Sequence, residues 1–427
     1  MNRRQFLLKA GSAGLALATG PAGELSVLGA ANSSVAEAFD AAVENYMKPR
    51  RIPGAAIAVV KGRRLVYARG YGWADREKQE PARADSLFRI ASISKPFTSA
   101  AIVQLVGRGR LSMDAEAFGI LGMTPAPGGD PRLSKITVRQ LLHHAGGWDR
   151  DKSGDPMFMS KRIARATGTP EPARQEAIIR YMLGQPLDWP PGEHFAYSNF
   201  GYCVLGRIIE KVSGQEYAEY VKQNILSPIG IERMRLGASL ESGRAPGEVK
   251  YYMPDGTTSQ SVFPGAAGRV PEPYGGFCLE TMDSHGAWIA SAIDLVRFAT
   301  ALDDPGRQNW IRDQFRRLLY EPPAPPVSRK PDGTLAAFYY GCGWDVRPVG
   351  RKGKANYWHN GSLPGTFTLL VRRWDGLSWT VLFNQRSNDS KLPDGTIDGA
   401  LHRAADSVGQ WPQHDLFEAN DRVKMDS

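Results

Sequence analysis

The stretch RIASISKPFTSAAIVQL, residues 89–105, sets two serines and a lysine just ahead of a proline. A serine hydroxyl is a poor nucleophile until a neighbouring base takes its proton, and on a helix the residue three positions on shares a face. Ser92 and Lys95 meet that spacing, whereas the third residue after Ser94 is Phe97. Pro96 lacks a backbone NH, a loss that a helix tolerates in its first turn, so the helix is expected to begin near 91–93. Ser92 then sits at the positive end of the helix dipole, where an oxyanion is stabilised. S-x-x-K occurs once in the chain. Alone it is a weak signal, because a helix cap followed by a solvated lysine has the same spacing.

Two further constellations carry polar chemistry. In GEHFAYSNFGYCVLG, Tyr197-Ser198-Asn199 precedes a helical pattern beginning near Phe200. A tyrosine beside a lysine can relay protons between a serine, a substrate and a leaving group, and the Asn199 amide can donate to a substrate carbonyl. A loop tyrosine packed on the core, with Asn199 as a cap, would look the same. In YWHNGSLPGTF, His359-Asn360-Gly361 ends a strand-like run, and Gly361 leaves room for another chain or a ligand to approach the backbone. H-x-G also occurs at His144-Ala145-Gly146, and strand context singles out the later triplet. His143-His144 comes without H-E-x-x-H or matching carboxylates, so it reads as helix-end packing rather than a metal site. The absence of G-x-S-x-G argues against an α/β-hydrolase nucleophile elbow.

Taken in this order, S-x-x-K, Y-x-N and H-x-G resemble the three active-site elements of the serine β-lactamase and penicillin-binding-protein-like superfamily. The likeness is strongest to its class C β-lactamase-related, peptidase S12-like branch, which includes D-aminopeptidases and family VIII carboxylesterases. GYGWAD (70–75), ITVRQLLHHAGGW (136–148), GAWIASAIDLVRFATAL (286–302) and YGCGW (340–344) look like the same branch, so the resemblance runs from about 34 to 405. It implies an α+β fold of the β-lactamase/transpeptidase type, an antiparallel sheet flanked by helices plus a mainly helical region, with the site in the cleft between them. It also implies Ser92 as the acylated nucleophile, with Lys95 and Tyr197 sharing the general-base and general-acid roles. The backbone NH groups of Ser92 and Ser362 would form the oxyanion hole. Asn199 would hold the substrate's acyl part, and His359, Asn360 and Gly361 would line the opposite wall. Neither a metal nor another cofactor is implied.

β-Lactamases and transpeptidases of this group usually carry Lys-Thr-Gly where this chain has His359-Asn360-Gly361. A permanent ammonium suits a substrate carboxylate, whereas histidine is mostly neutral at pH 7. The expectation is therefore a hydrolase of an ester or amide acting through an acyl-enzyme on Ser92, ahead of a weak class C-type β-lactamase or a D-amino-acid peptidase. A protein that binds penicillin or cell-wall fragments without turning them over is the reading from another class.

Such side chains need elements to position them. SSVAEAFDAAVENYMKPRRIPG reads as a helix of about three turns behind serine caps, stopped by Pro53-Gly54. AAIAVVKGRRLVYARGYGWAD reads as two strands around Lys61-Gly62, and TFTLLVRRWDGLSWTVLFN as two around Asp375-Gly376. An α/β part is thus expected over about 34–110 and 285–415, with a helical insertion over about 110–285, in a single catalytic domain spanning 32–427. Residues 1–31 join Arg3-Arg4 to a short apolar stretch and read as a twin-arginine export signal, too short to span a bilayer. That predicts a periplasmic or secreted protein with no stable membrane insertion once the signal is removed. The formal charge of +9, or +7 without Arg3, Arg4, Lys9 and Glu24, is dispersed, with no basic run interleaved with aromatics. This argues against a nucleic-acid partner, and the resemblance implies a small ester, amide or D-amino-acid substrate. Cys203, Cys278 and Cys342 are too few and too widely spaced for a disulfide framework and read as buried thiols. Trp148, Trp288, Trp344 and Trp358, beside the motifs, read as core. Oligomeric state is left open.

Overall fold

The computed structural model describes residues 33–417 except 267, 305, 307–309, 351 and 352, so the expected export signal lies outside the described residues. The chain begins with helix α1 (Val35–Arg50), strands β1 (Gly54–Lys61), β2 (Arg64–Asp75), β3 (Glu80–Pro81) and β4 (Phe88–Arg89), and helix α2 (Ser94–Gly107). Helices α3 (Ala117–Leu121), α4 (Val138–Leu142), α5 (Ser160–Thr167), α6 (Gln175–Met182), α7 (Asn199–Ser213) and α8 (Tyr217–Val221) follow. Short strands β5 (Arg235–Leu236), β6 (Thr258–Gln260), β7 (Arg269–Pro271) and β8 (Trp288–Ala290) lead to helices α9 (Ala292–Leu302) and α10 (Asp313–Arg316). Strands β9 (Tyr339–Tyr340), β10 (Asp345–Pro348), β11 (Ala355–Leu363), β12 (Thr366–Arg372) and β13 (Leu377–Phe383) precede the last helix, α11 (Thr396–Ser407).

Two compact units result, one from the residues up to Arg50 with Ser387–Pro412, the other from Arg51–Arg386 with the residues after Pro412. In the first, α1 packs against α11. Ser34 and Glu37 cap α1 reciprocally, Glu37 N donating to Ser34 Oγ at 3.2 Å and Ser34 N to Glu37 Oε2 at 2.9 Å. The helix runs for 16 residues rather than about three turns, because its buried stripe of Val35, Phe39, Val43 and Tyr46 continues to the last turn.

In the second unit eight antiparallel strands lie in the order β3-β2-β1-β13-β12-β11-β10-β9, so strands from the two ends of the chain meet at β1 and β13. β1 and β2 turn at Gly62-Arg63, both left-handed with φ 55° and 69°, and β12 and β13 turn at Asp375-Gly376 with Gly376 at φ 79°. Every residue of β12 and β13 is buried, so the sheet is covered on both faces there and its strands read as apolar runs. Helix α9 packs on β1 and β13. Helix α2 is buried from Ser94 to Leu105, as a helix apolar all round must be, and packs against α7. It is the internal helix that begins beside Ser92.

The middle of the chain carries its α-helices only before Ile229, with no helix longer than the 3-10 turns Glu241–Gly243 and Leu279–Met282 beyond it among the described residues up to 285. Beyond it glycine and proline recur too often between 230 and 276 for a helix to propagate, and short strands and turns take over. β8 pairs with both β4 and β5, which ties this region to the approach to Ser92. The three cysteines are buried free thiols, and Trp148, Trp288, Trp344 and Trp358 are at most 9% exposed. No described helix is long and apolar enough to cross a membrane.

Candidate active site

The approach to Ser92 is held rigidly before it turns. In β4, the buried Arg89 donates to Pro273 O at 2.7 Å and Ala238 O at 2.8 Å, and Ile90 N donates to Trp288 O at 2.9 Å. Ala91 then adopts φ +48°, a left-handed conformation costing an ordinary residue about 1–2 kcal/mol. A single 3-10 turn, Ala91–Ile93, carries Ser92 and feeds α2. Ser94 is fully buried, and its Oγ accepts from Trp288 N at 3.4 Å.

Lys95, also fully buried, reaches back one turn. Its Nζ lies 3.2 Å from Ser92 Oγ, 2.8 Å from Asn199 Oδ1 and 3.1 Å from His285 O. The last two groups can only accept there, so they take two N–H bonds of the lysine. A neutral amine then has its lone pair left for the Ser92 hydroxyl proton, and an ammonium would instead donate its third N–H to Ser92 Oγ. One geometry therefore serves both before and after a proton moves.

The orientation of Asn199 follows from its other neighbour. Ser198 caps α7 by accepting from Gly201 N at 3.2 Å, which puts Asn199 in the first turn. Asn199 Nδ2 donates to Asp155 Oδ2 at 2.6 Å, and a carboxylate can only accept, so the amide carbonyl must face Lys95. Asp155 is itself fixed as the cap of the turn Pro156–Phe158, accepting from Met157 N at 3.1 Å.

Tyr197 is buried, with Lys95 Nζ 4.7 Å and Arg150 Cζ 4.9 Å from its ring centre. His144 lies against the same ring at 4.1 Å, and its Nδ1 accepts from Ser198 N at 3.1 Å. His144 stands at φ +56°, so the H-H-A-G segment does more than pack a helix end: it braces the Y-S-N segment from behind. His143 completes α4 in a buried setting that pushes its pKa down to about 4, chiefly through desolvation. As the neutral ring it donates from Nδ1 to Tyr340 O at 3.1 Å and offers Nε2 to the Cys342 thiol at 3.8 Å.

Strand β11 closes the other side. A Cβ at Gly361 would lie 2.1 Å from Ile90 O and 2.3 Å from Thr368 Oγ1, so glycine lets the strand press on the turn before Ser92. Thr368 Oγ1, one strand over, donates to Ile90 O at 3.0 Å. Ser362 is exposed and Asn360 half-buried, while His359 is fully buried with its ring centre 6.4 Å from that of Tyr197. His359 Nδ1 faces Asn360 O at 2.7 Å and so carries the proton, leaving Nε2 to accept from Tyr340 OH at 2.9 Å. In Y-G-C-G-W, Gly343 at φ +79° presses on α2, where a Cβ would lie 2.5 Å from Ser99 Oγ and 3.0 Å from Lys95 O.

Ser92, Lys95 and Asn199 thus form one hydrogen-bonded group, Tyr197 adjoins it through Lys95, and the His359 strand abuts the turn that carries Ser92. Asp155, Arg150, His144, Tyr340 and the carbonyl of His285 also belong to the cluster, and sequence reasoning did not find these roles. Among the described residues no group of three or more histidine, cysteine, aspartate and glutamate side chains is gathered as metal ligands would be.

Residues 39–402 match the model of the family described as Beta-lactamase. Penicillin-binding protein 4* of Bacillus subtilis (strain 168) is 26% identical over 349 residues, 81% of this chain and 71% of that protein. Esterase EstB of Burkholderia gladioli is 31% identical over 208 residues, 47% of this chain and 51% of that protein, so the chain spans about half the length of this relative. Protein flp of Staphylococcus aureus (strain COL) is 32% identical over 192 residues, 45% of this chain and 36% of that protein. Among solved structures, the octameric penicillin-binding protein homologue from Pyrococcus abyssi aligns with a TM-score of 0.64 at 25% identity, covering 90% of this chain and 80% of that one. The D-amino acid amidase from Ochrobactrum anthropi SV3 aligns at 0.66 and 20% identity, covering 88% and 99%, which shows a shared fold. With its β-lactamase/transpeptidase fold and a family match over most of its length, the chain belongs to the Beta-lactamase family and is an enzyme of the related serine hydrolases.

Proposed function

We propose that the protein is an exported hydrolase that cleaves an ester or amide bond through an acyl-enzyme on Ser92. The observation that carries this reading is the 3.2 Å contact of Ser92 Oγ with a Lys95 Nζ whose other close acceptors are Asn199 Oδ1 and His285 O. Ser92 Oγ attacks the carbonyl carbon while its proton passes to Lys95. The oxyanion is held by the backbone NH groups of Ser92 and Ser362, a placement favoured by the close approach of Gly361 to Ile90 O. Collapse expels an alcohol or amine, which takes a proton from the Lys95–Tyr197 pair, and water then repeats the sequence to release the acid. His359 supports the wall as a buried strut bonded to Tyr340. An ester or amide is favoured over a β-lactam because this histidine, bonded to Tyr340, stands where a lysine would attract a carboxylate, and the names of EstB and the D-amino acid amidase point the same way. Export rests on the Arg3-Arg4 segment.

An alkyl aryl phosphonate should add its phosphonyl mass to Ser92, read by intact mass and peptide mapping, and 4-nitrophenyl esters, D-alanyl amides and a chromogenic cephalosporin should rank in that order as substrates. Labelling that persists in Ser92→Ala would sink the assignment of the nucleophile. Acylation without turnover would favour the penicillin- or fragment-binding alternative.

A further inference from the structure

The cations around Tyr197 are unequal. Lys95 is engaged by Ser92, Asn199 and His285 O. The guanidinium of Arg150 makes no ion pair and no hydrogen bond among the described residues, and it lies over the face of Tyr197, 4.9 Å from the ring centre. It is half-exposed rather than buried, so it can be reached. The nearby acids are committed elsewhere: Asp155 holds Asn199 and Met157 N, and Asp149 accepts from Trp189 Nε1 at 3.1 Å and Asp151 N at 3.0 Å. Arg150 and Asp155 lie on one loop, and Asp155 grips Asn199, so the loop that carries Arg150 is tied to Asn199. The distance of Arg150 from Ser92 Oγ cannot exceed the Ser92–Lys95, Lys95–Tyr197 and Tyr197–Arg150 separations laid end to end.

A planar, permanently charged fork with five donors and no acceptor among the described residues, sharing the Tyr197 ring with Lys95, is suited to a carboxylate. We infer that Arg150 is a specificity residue for an anionic group on the acyl part of the substrate, so that the natural ester or amide is an ω-carboxyacyl derivative or one with an equivalent acidic group. This rests on the reading of Ser92 as nucleophile with Asn199 on the acyl side. It also reverses the charge expectation set by His359: the cation missing from β11 is supplied from the loop after α4, on a different side of the substrate.

The test uses a matched pair of methyl 4-nitrophenyl alkylphosphonates whose alkyl arms have equal length and end in a carboxylate or a methyl group, with Ser92 labelling rates read by intact mass. The wild type should label about tenfold faster with the anionic arm, as a charge-assisted contact warrants, and high salt should shrink that preference. Arg150→Gln should abolish the preference, Arg150→Lys restore part of it, and Arg150→Glu invert it. A wild-type ratio near one, or a ratio that Arg150→Gln leaves within twofold, would overturn the inference. So would a preference that follows a carboxylate moved from the alkyl arm to the aryl leaving group. Failure of both phosphonates to label Ser92 would instead refute the underlying serine-hydrolase mechanism.

Discussion

Asp155→Asn isolates what orients Lys95. Asp155 Oδ2 accepts from Asn199 Nδ2 at 2.6 Å while Oδ1 accepts from Met157 N at 3.1 Å. Asparagine keeps a carbonyl for Met157, since it caps a helical turn as well as aspartate does. Its NH2 group, however, then faces the NH2 group of Asn199, and two donors do not pair. Asn199 turns its carbonyl toward residue 155 and its NH2 toward Lys95, where it competes with the Ser92 hydroxyl for the amine lone pair. Hydrogen bonds to a charged group contribute about 1.5–3 kcal/mol. If that energy holds the reactive arrangement, phosphonylation of Ser92 slows about 10- to 150-fold, at about 1.36 kcal/mol per decade. The assay is the second-order labelling rate by intact mass across pH, with the thermal midpoint as control. The midpoint should move little because the cap survives, and the pH–rate profile should shift because Lys95 has exchanged an acceptor for a donor. A folded variant that labels within twofold of wild type, on an unshifted profile, would refute the chain of control from Asp155 through Asn199 to Lys95.

Two other perturbations test the frame around the site. Gly361→Ala places a methyl 2.1 Å from Ile90 O, so β11 or the turn before Ser92 must move; the expected result is about 1–3 kcal/mol of lost stability with sharply slower labelling, and an unchanged thermal midpoint would contradict the contact. For His143 the folded pKa of about 4 lies below the ordinary value of 6.5, so the unfolded chain binds a proton through that window which the folded chain refuses. Stability from this residue is present above 6.5 and declines as pH falls toward 4, by about 2 kcal/mol between pH 7 and pH 5. His285, buried and also shifted down, first by desolvation and then by Lys95, acts in the same direction. Urea midpoints at the two pH values should show the decline in wild type and a smaller one in His143→Gln; identical slopes would exclude the assignment.

Where a role depends on spacing within one element, the residues announced it. Ser92 and Lys95 share a helical turn, the paired apolar runs at 54–75 and 366–383 are hairpins, and Gly361 marks a close approach. Where a role depends on a loop meeting a loop, residue types alone were silent. Arg150 and Asp155 lie in a segment whose composition reads as solvent-facing, and nothing local distinguishes them from Asp149 or Lys152. His285 serves through its backbone carbonyl, which any residue possesses, and Ala91 bears the left-handed strain without a glycine to signal it. Asn199 shows the limit most clearly. Its type and place after Tyr197 suggested an amide donor to a substrate, yet in the folded chain the donor end is taken by Asp155, 44 residues away, and the acceptor end faces Lys95. The same side chain therefore serves the base before it serves the substrate, and which end of the amide does so is decided by a carboxylate outside the motif.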